Sequence, residues 1–266
     1  MTSPFADDGD MIVQRIADGA AKPVLVADFQ AFSSAPRLSH RVGDLAEGRP
    51  VYQIDPLGAL SQERPYISLA DLAAEAVASF ERSQPADGPA FVIGYCSAAG
   101  LSMRIAALLA RTRQATAVLL RPSWPDTDSV KNTFATLAAN LGARQLPCPE
   151  LDGDPDHCVQ LMEKLLSAEL KALVTGQGLD ASADTFSELL LTYRSWLAFL
   201  LACRNHSLAG GTAAATAVKV LTEADEGATI PGLAAGQFEV CPLPALDEDN
   251  PVTPEVVGLL VAQIMA

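Results

Sequence analysis

Short apolar runs alternate with stretches of three- and four-residue apolar spacing along the first half of the chain. That alternation is the signature of a parallel sheet with crossover helices. Pro23–Val26 (PVLV) begins a buried strand that runs into the loop DFQAFSS. Arg37–Glu47 predicts a helix, Pro50–Ile54 (PVYQI) the next strand, and DPLG a turn after it. From Leu69 to Phe80, LADLAAEAVASF is an Ala-rich amphipathic helix with Ser68 placed as its cap. Beyond the turn PADGP, Ala90–Gly94 (AFVIG) predicts a central strand, Leu101–Arg111 a helix and Thr116–Leu120 (TAVLL) the following strand.

From Pro122 to about Ala209 helical periodicity takes over without strands, most clearly in MEKLLSAELKALV and FSELLLTYRSWLAFLLACRN. Strands resume with Ala215–Leu221 (ATAVKVL) and Phe238–Leu243 (FEVCPL), and Val256–Met265 (VVGLLVAQIM) is an apolar helix. The expected fold class is therefore α/β. Residues 1–266 form one domain, with a helical insertion over 124–208 inside a mostly parallel central sheet. There is no internal repeat, and the acidic LDEDN (Leu246–Asn250) reads as a solvated turn.

Composition narrows the function classes. With 49% hydrophobic and 19% charged residues in 266, the chain can bury a large core. A net charge of −14 argues against a nucleic-acid partner, because phosphate binding needs clustered Lys and Arg. No apolar run is expected to reach the ~18 residues of a membrane span. The start, MTSPFADDGD, lacks the basic-then-apolar layout of a secretory signal. A cytoplasmic protein with no membrane partner is expected. The five cysteines are odd in number, scattered and without a CxxC pair, which fits a reducing compartment. With three dispersed histidines beside them, no metal centre and no cofactor are expected.

The chemical centre is Gly94-Tyr95-Cys96-Ser97-Ala98-Ala99-Gly100, set between a strand and a helix. A nucleophile elbow needs a turn so tight that the nucleophile takes a strained backbone, with small residues around it so that strand and helix do not collide. Gly94, Ala98, Ala99 and Gly100 supply those small residues. A buried structural cysteine before an ordinary helix is the plainer alternative.

From about Ile12 to Pro125 the chain resembles the α/β-hydrolase-fold thioesterases of polyketide and nonribosomal-peptide assembly lines. The resemblance rests on PVLVADFQAF, VYQIDPLGAL, ISLADLAAEAVASF and FVIGYCSAAGLSMRIAALL. It extends more loosely through VKVLTEADEG and the last helix. It implies that the helical insertion is a lid and that Cys96 takes the place of the usual serine. The backbone N–H groups of Ser97 and of Ala31, in the loop after the first strand, would form an oxyanion hole. Trp124 and Trp196 would line a substrate cavity, although aromatic residues at such places also serve as plain core.

The pattern breaks at the triad. Where the family carries its acid, the strand reads VLLRPSW, with Arg121 in the acid's place. Where the family's histidine follows the last strand, CPLPALDEDNPVTPE contains none. Three repairs stay open. His206, in ACRNHSLAGG, would act from an unusual position, or is a surface residue at a helix end. Asp225, in VLTEADEG, follows a later strand where other α/β hydrolases hold their acid, with Glu223 and Glu226 as competitors. Alternatively Cys96 needs no base, because a helix N-terminus and a neighbouring guanidinium from Arg121 favour a thiolate. His40, in a helix, and His157, in an acidic loop, have no motif around them.

The function expected on this reading is a thioesterase or acyltransferase. Its small-molecule acyl substrate would arrive on the phosphopantetheine arm of an acyl or peptidyl carrier protein and be taken up by Cys96 as an acyl-enzyme. The alternative is a thioesterase-like protein that has lost its triad and binds a carrier protein or pathway intermediate.

Overall fold

The structure is a computed structural model. It describes residues 12–29, 37–46, 48–60, 64–84, 88–143, 146–176, 184–206, 217–223, 229–244 and 252–265. Along the chain run β1 (Val13–Ala17), β2 (Val24–Ala27), α1 (Leu38–Leu45), β3 (Val51–Ile54), α2 (Pro56–Leu60) and α3 (Leu69–Ser83). Then come β4 (Ala90–Tyr95), a single 3₁₀ turn (Cys96–Ala98), α4 (Ala99–Leu109) and β5 (Ala115–Leu120). The helices α5 (Thr127–Asn140), α6 (Pro155–Gly176) and α7 (Asp184–Asn205) precede β6 (Ala217–Glu223), β7 (Glu239–Leu243) and α8 (Pro254–Met265). They fall into two compact units. The first is drawn from Met1–Pro56, Leu69–Trp124 and His206–Ala266, the second from Leu57–Ser68 and Pro125–Asn205.

In the first unit seven strands among the described residues form one sheet in the order β1-β3-β2-β4-β5-β6-β7. Every pairing is parallel except that of β1 with β3, where Val13 stands opposite Ile54. The central strands VLVA and AFVIGY are apolar along almost their whole length, because a parallel sheet is covered on both faces. Val24, Val26, Ile93, Val118 and Leu120 pack with Leu38 and Val42 of α1 and Val256, Leu260 and Ile264 of α8. Leu25, Val92, Ala117 and Leu119, which alternate with them, are fully buried too. There α4, backed by α3, packs on β2, β4 and β5.

The second unit is helical. Asp126 caps α5 by accepting hydrogen bonds from Ser129 N (2.8 Å) and Ser129 Oγ (2.7 Å). α7 packs against α5 and α6. It corrects the expectation that no apolar run reaches membrane length, since Phe186–Asn205 is long and apolar enough by length and composition. Its arginines are engaged inside the unit. Arg194 pairs with Glu163 at 3.7 Å and donates to the Leu60 carbonyl (3.2 Å). Arg204 donates to Thr127 Oγ1 (3.0 Å) and the Leu151 carbonyl (2.9 Å) and pairs with Asp152.

Elsewhere the sequence reading needs three corrections. DPLG is not a bare turn: Pro56 opens the short α2, its fixed φ suiting a first helical position. β1 was not anticipated, because VQRIA has exposed polar positions and gains strand geometry only by pairing at the sheet's edge. His157 stands in the first turn of α6, not in a loop.

Candidate active site

β4 delivers Tyr95 in extended conformation (φ −107°, ψ 132°) and the chain then reverses into α4. Cys96 makes that reversal with φ of 50°. Left-handed backbone costs a non-glycine residue about 1–3 kcal/mol and persists only where surrounding structure imposes it, most often at functional sites. The imposing contact is the close approach of β4 to α4. A Cβ on Gly94 would lie 2.5 Å from Ser102 Oγ, 2.7 Å from Ser102 Cβ and 3.0 Å from the Ala98 carbonyl oxygen. Ser102 Oγ donates to the Ile93 carbonyl at 3.1 Å, which fixes the helix against the strand. The Cys96 carbonyl accepts from Ser123 N at 3.1 Å, bracing the turn against the exit of β5. The thiol is half-buried, with Sγ 3.8 Å from Ser97 Oγ.

The turn lies where a parallel sheet offers a site. The chain runs from β2 outward to β3, then returns to place β4 on the other side of β2. Ligands bind outside the carboxyl ends of the strands at such a switch point. Ala27 pairs with Gly94, so Asp28 and Tyr95 leave the sheet side by side. Asp28 is only 2% exposed, and its carboxylate accepts hydrogen bonds from Ser39 N (2.7 Å) and Ser39 Oγ (3.4 Å). Burial nonetheless raises its pKa above the ordinary carboxylate value, with the Ser39 bonds and Arg37 opposing. Arg37 in turn pairs with Asp55 at 3.1 Å. The sequence reading passed over Asp28. The available signal was an acid directly after the wholly apolar VLVA, a place where a charge is kept only if it has partners.

No family model matches the chain, and neither does any curated protein. Solved structures do match. A four-domain nonribosomal peptide synthetase, bound to AMP and glycine, aligns with 96% of this chain at TM-score 0.59 and 16% identity; the chain spans 20% of its length. An α/β-hydrolase family protein from Desulfitobacterium hafniense aligns over 96% of this chain and 100% of its own, at TM-score 0.58 and 15% identity. The Vlm2 thioesterase domain, bound with a dodecadepsipeptide, aligns over 95% and 96% at TM-score 0.53 and 14% identity.

The fold is that of the α/β hydrolases.

In an α/β-hydrolase elbow the residue after the nucleophile presents its N–H to the oxyanion. Ser97, the residue after Cys96, is buried in the 3₁₀ turn. Ala31 and Asp225 lie outside the described residues. Arg121 follows β5 directly, with φ of 45°; it and Cys96 are the two non-glycine residues with positive φ among those described. Its guanidinium pairs with Glu223, at the end of the neighbouring β6. The phenol of Tyr95 has its pKa raised, first by burial and then by its neighbour Cys96, while Arg121 lowers it. Tyr95 thus feels both Cys96 and Arg121, and Arg121 has its own counter-charge in Glu223.

His206 is placed differently. No hydrogen bond joins it to Cys96 among the described residues, and the charge that acts on its imidazole is that of Arg104, on α4. Trp124 sits in the first unit, its Nε1 donating to the Thr229 carbonyl at 3.1 Å. Trp196 belongs to α7 in the second unit, stacked on Phe199 at 6.1 Å. α/β hydrolases that use serine depend on a histidine beside it. In this chain the described residues show the elbow without that partner.

Proposed function

We propose that this protein is a hydrolase-type acyl-transfer enzyme. It would take acyl groups from the phosphopantetheine thioester of an acyl or peptidyl carrier protein onto Cys96. The observation that carries the reading is the φ of 50° at Cys96, held between an apolar strand and a helix N-terminus at the sheet's switch point. The likeness to a synthetase and a thioesterase domain supports it at the level of the fold.

The step balances without a cofactor. The Cys96 thiolate attacks the thioester carbonyl, with the Ser97 N–H and one from the loop after β2 receiving the oxyanion. The carbon–sulfur bond to pantetheine then breaks, and its thiolate leaves and takes up a proton. Exchange of one thioester for another is nearly isoenergetic, so a cysteine suits transfer better than a serine. Water, an amine, a hydroxyl or a second carrier thiol would then receive the acyl group. Arg121 would bring positive charge to the neighbourhood of Tyr95, moderated by Glu223.

Incubation with an acyl-carrier thioester, followed by intact-protein mass spectrometry, tests this. One acyl group is expected on the native chain and none on Cys96→Ala. Cys96→Ser should also fail, since without a neighbouring base serine remains an alcohol. A second reading draws on the lack of a hydrogen bond between His206 and Cys96 among the described residues: a thioesterase-like protein that binds a carrier or a pathway intermediate without chemistry. It predicts carrier binding that Cys96→Ala leaves intact, with no adduct on either protein.

A further inference from the structure

Arg49 and Met265 meet at the end of the sheet where its parallel strands begin, the end remote from Cys96. Arg49 and Pro50 lead into β3, and Met265 is the last residue of α8. Arg49 is 7% exposed, and no carboxylate pairs with it among the described residues. Its Nη1 donates to the Lys22 carbonyl at 3.3 Å, and its guanidinium carbon lies 5.6 Å from the centre of the Phe91 ring. Its Nε donates to the thioether sulfur of Met265 at 3.1 Å. A thioether is a weak acceptor, whereas a desolvated guanidinium calls for strong ones. The sulfur is also open to solvent chemistry. Met265 is 55% exposed, against 4% for Met103 and 0% for Met162, the other described methionines. Its neighbour Ile264 is fully buried, so the end of α8 is anchored without the thioether.

We infer that Met265 is a site of reversible oxidation by peroxide-class oxidants, and that Arg49 holds the sulfoxide that forms. The sulfur attacks hydrogen peroxide, the O–O bond breaks and an S–O bond forms. Sulfur gives up two electrons, and the second peroxide oxygen leaves as water. The new oxygen takes the Nε–H in place of the sulfur, which turns a weak hydrogen bond into a charge-assisted one. A sulfoxide ordinarily disrupts its surroundings, because a polar group enters an apolar site. Here it enters beside a guanidinium that has no carboxylate, so oxidation tightens the join between α8 and the entry to β3.

Hydrogen peroxide treatment followed by peptide mass spectrometry over time reads the site. Met265 should gain one oxygen roughly tenfold or more faster than Met103 and Met162, in line with their exposure. Urea unfolding before and after treatment reads the join, with Met265→Leu treated alike so that oxidation of the cysteines cancels. Relative to that control the midpoint of the native chain should rise by about 0.3 M, and methionine sulfoxide reductase should return it. Arg49→Lys keeps the charge without the Nε–H and should lose the rise. The Arg49 Nε–H proton resonance of the native chain is a readout that needs no variant. On oxidation it should move downfield and exchange more slowly with solvent, as its acceptor changes from sulfur to oxygen. A Met265 no more reactive than Met103, a midpoint that stays or falls, an unmoved Nε–H resonance, or an equal rise in Arg49→Lys would each overturn the inference. None of these outcomes depends on whether Cys96 accepts an acyl group.

Discussion

A methyl group on Gly94 would sit 2.5 Å from Ser102 Oγ, so β4 and α4 meet at a separation that only a hydrogen on the α-carbon permits. Gly94→Ala should destabilise the protein by roughly 2–4 kcal/mol, at or above the usual range for overpacking. Ser102→Gly should cost about 1 kcal/mol alone but recover more than half of the loss when combined with it. Denaturant unfolding of the four proteins gives the coupling. Simple additivity would mean that the two residues do not share this contact.

The five thiols should differ in reactivity. Burial pushes the Cys148 thiol up to about 11, so at pH 7.5 only about one molecule in three thousand carries its thiolate. Cys241 is also raised, by burial and by Glu239, and Cys158 is buried outright. Cys96, half-exposed at a helix N-terminus, should label first with iodoacetamide. Peptide mass spectrometry over time would reveal the order, and faster labelling of Cys148 or Cys203 would speak against an activated elbow.

Arg121 and Glu223 should have opposite effects on that rate. Removing the guanidinium in Arg121→Ala should slow Cys96 labelling at neutral pH by roughly two- to fivefold, the size of one partly screened charge interaction. Glu223→Gln leaves Arg121 without its counter-charge and should accelerate labelling by a similar factor. If both variants match the native protein, Arg121 has a structural role only.

Asp28 has its carboxyl pKa raised by burial above the ordinary 3.8. Folding therefore favours its protonated form, and the stability that form contributes below pH 3.8 is lost as pH rises through the folded value. Asp28→Asn keeps an acceptor for the Ser39 N–H without the charge. The variant should match the native chain near pH 4 and become the more stable of the two as pH rises towards 7. Chemical denaturation across that range is the check. A difference that stays constant or shrinks with rising pH would contradict the account. Asp28→Ala, which leaves the buried Ser39 N–H unpaired, should lose roughly 1–3 kcal/mol throughout.

Much of this protein is determined locally and so can be read from its sequence. AFVIG, VLVA and TAVLL are apolar throughout because both faces of a parallel sheet are covered, and that demand acts residue by residue. The elbow is local too: Gly94, Cys96 and Ala98 lie within five residues, and the small side chains record the closeness of strand and helix. Only tertiary structure decided what stands around the thiol. β1 is a strand because β3 pairs with it, not because VQRIA is strand-like. Arg121 meets Glu223 because β5 and β6 are neighbours, although more than a hundred residues separate them in the chain. The same holds for His206, whose segment reads the same whether or not the fold brings it to Cys96. A side chain's charge is written in the sequence, but its partner is chosen by which strands and helices the whole core brings together. Electrostatic energy depends on that distance and burial rather than on separation along the chain.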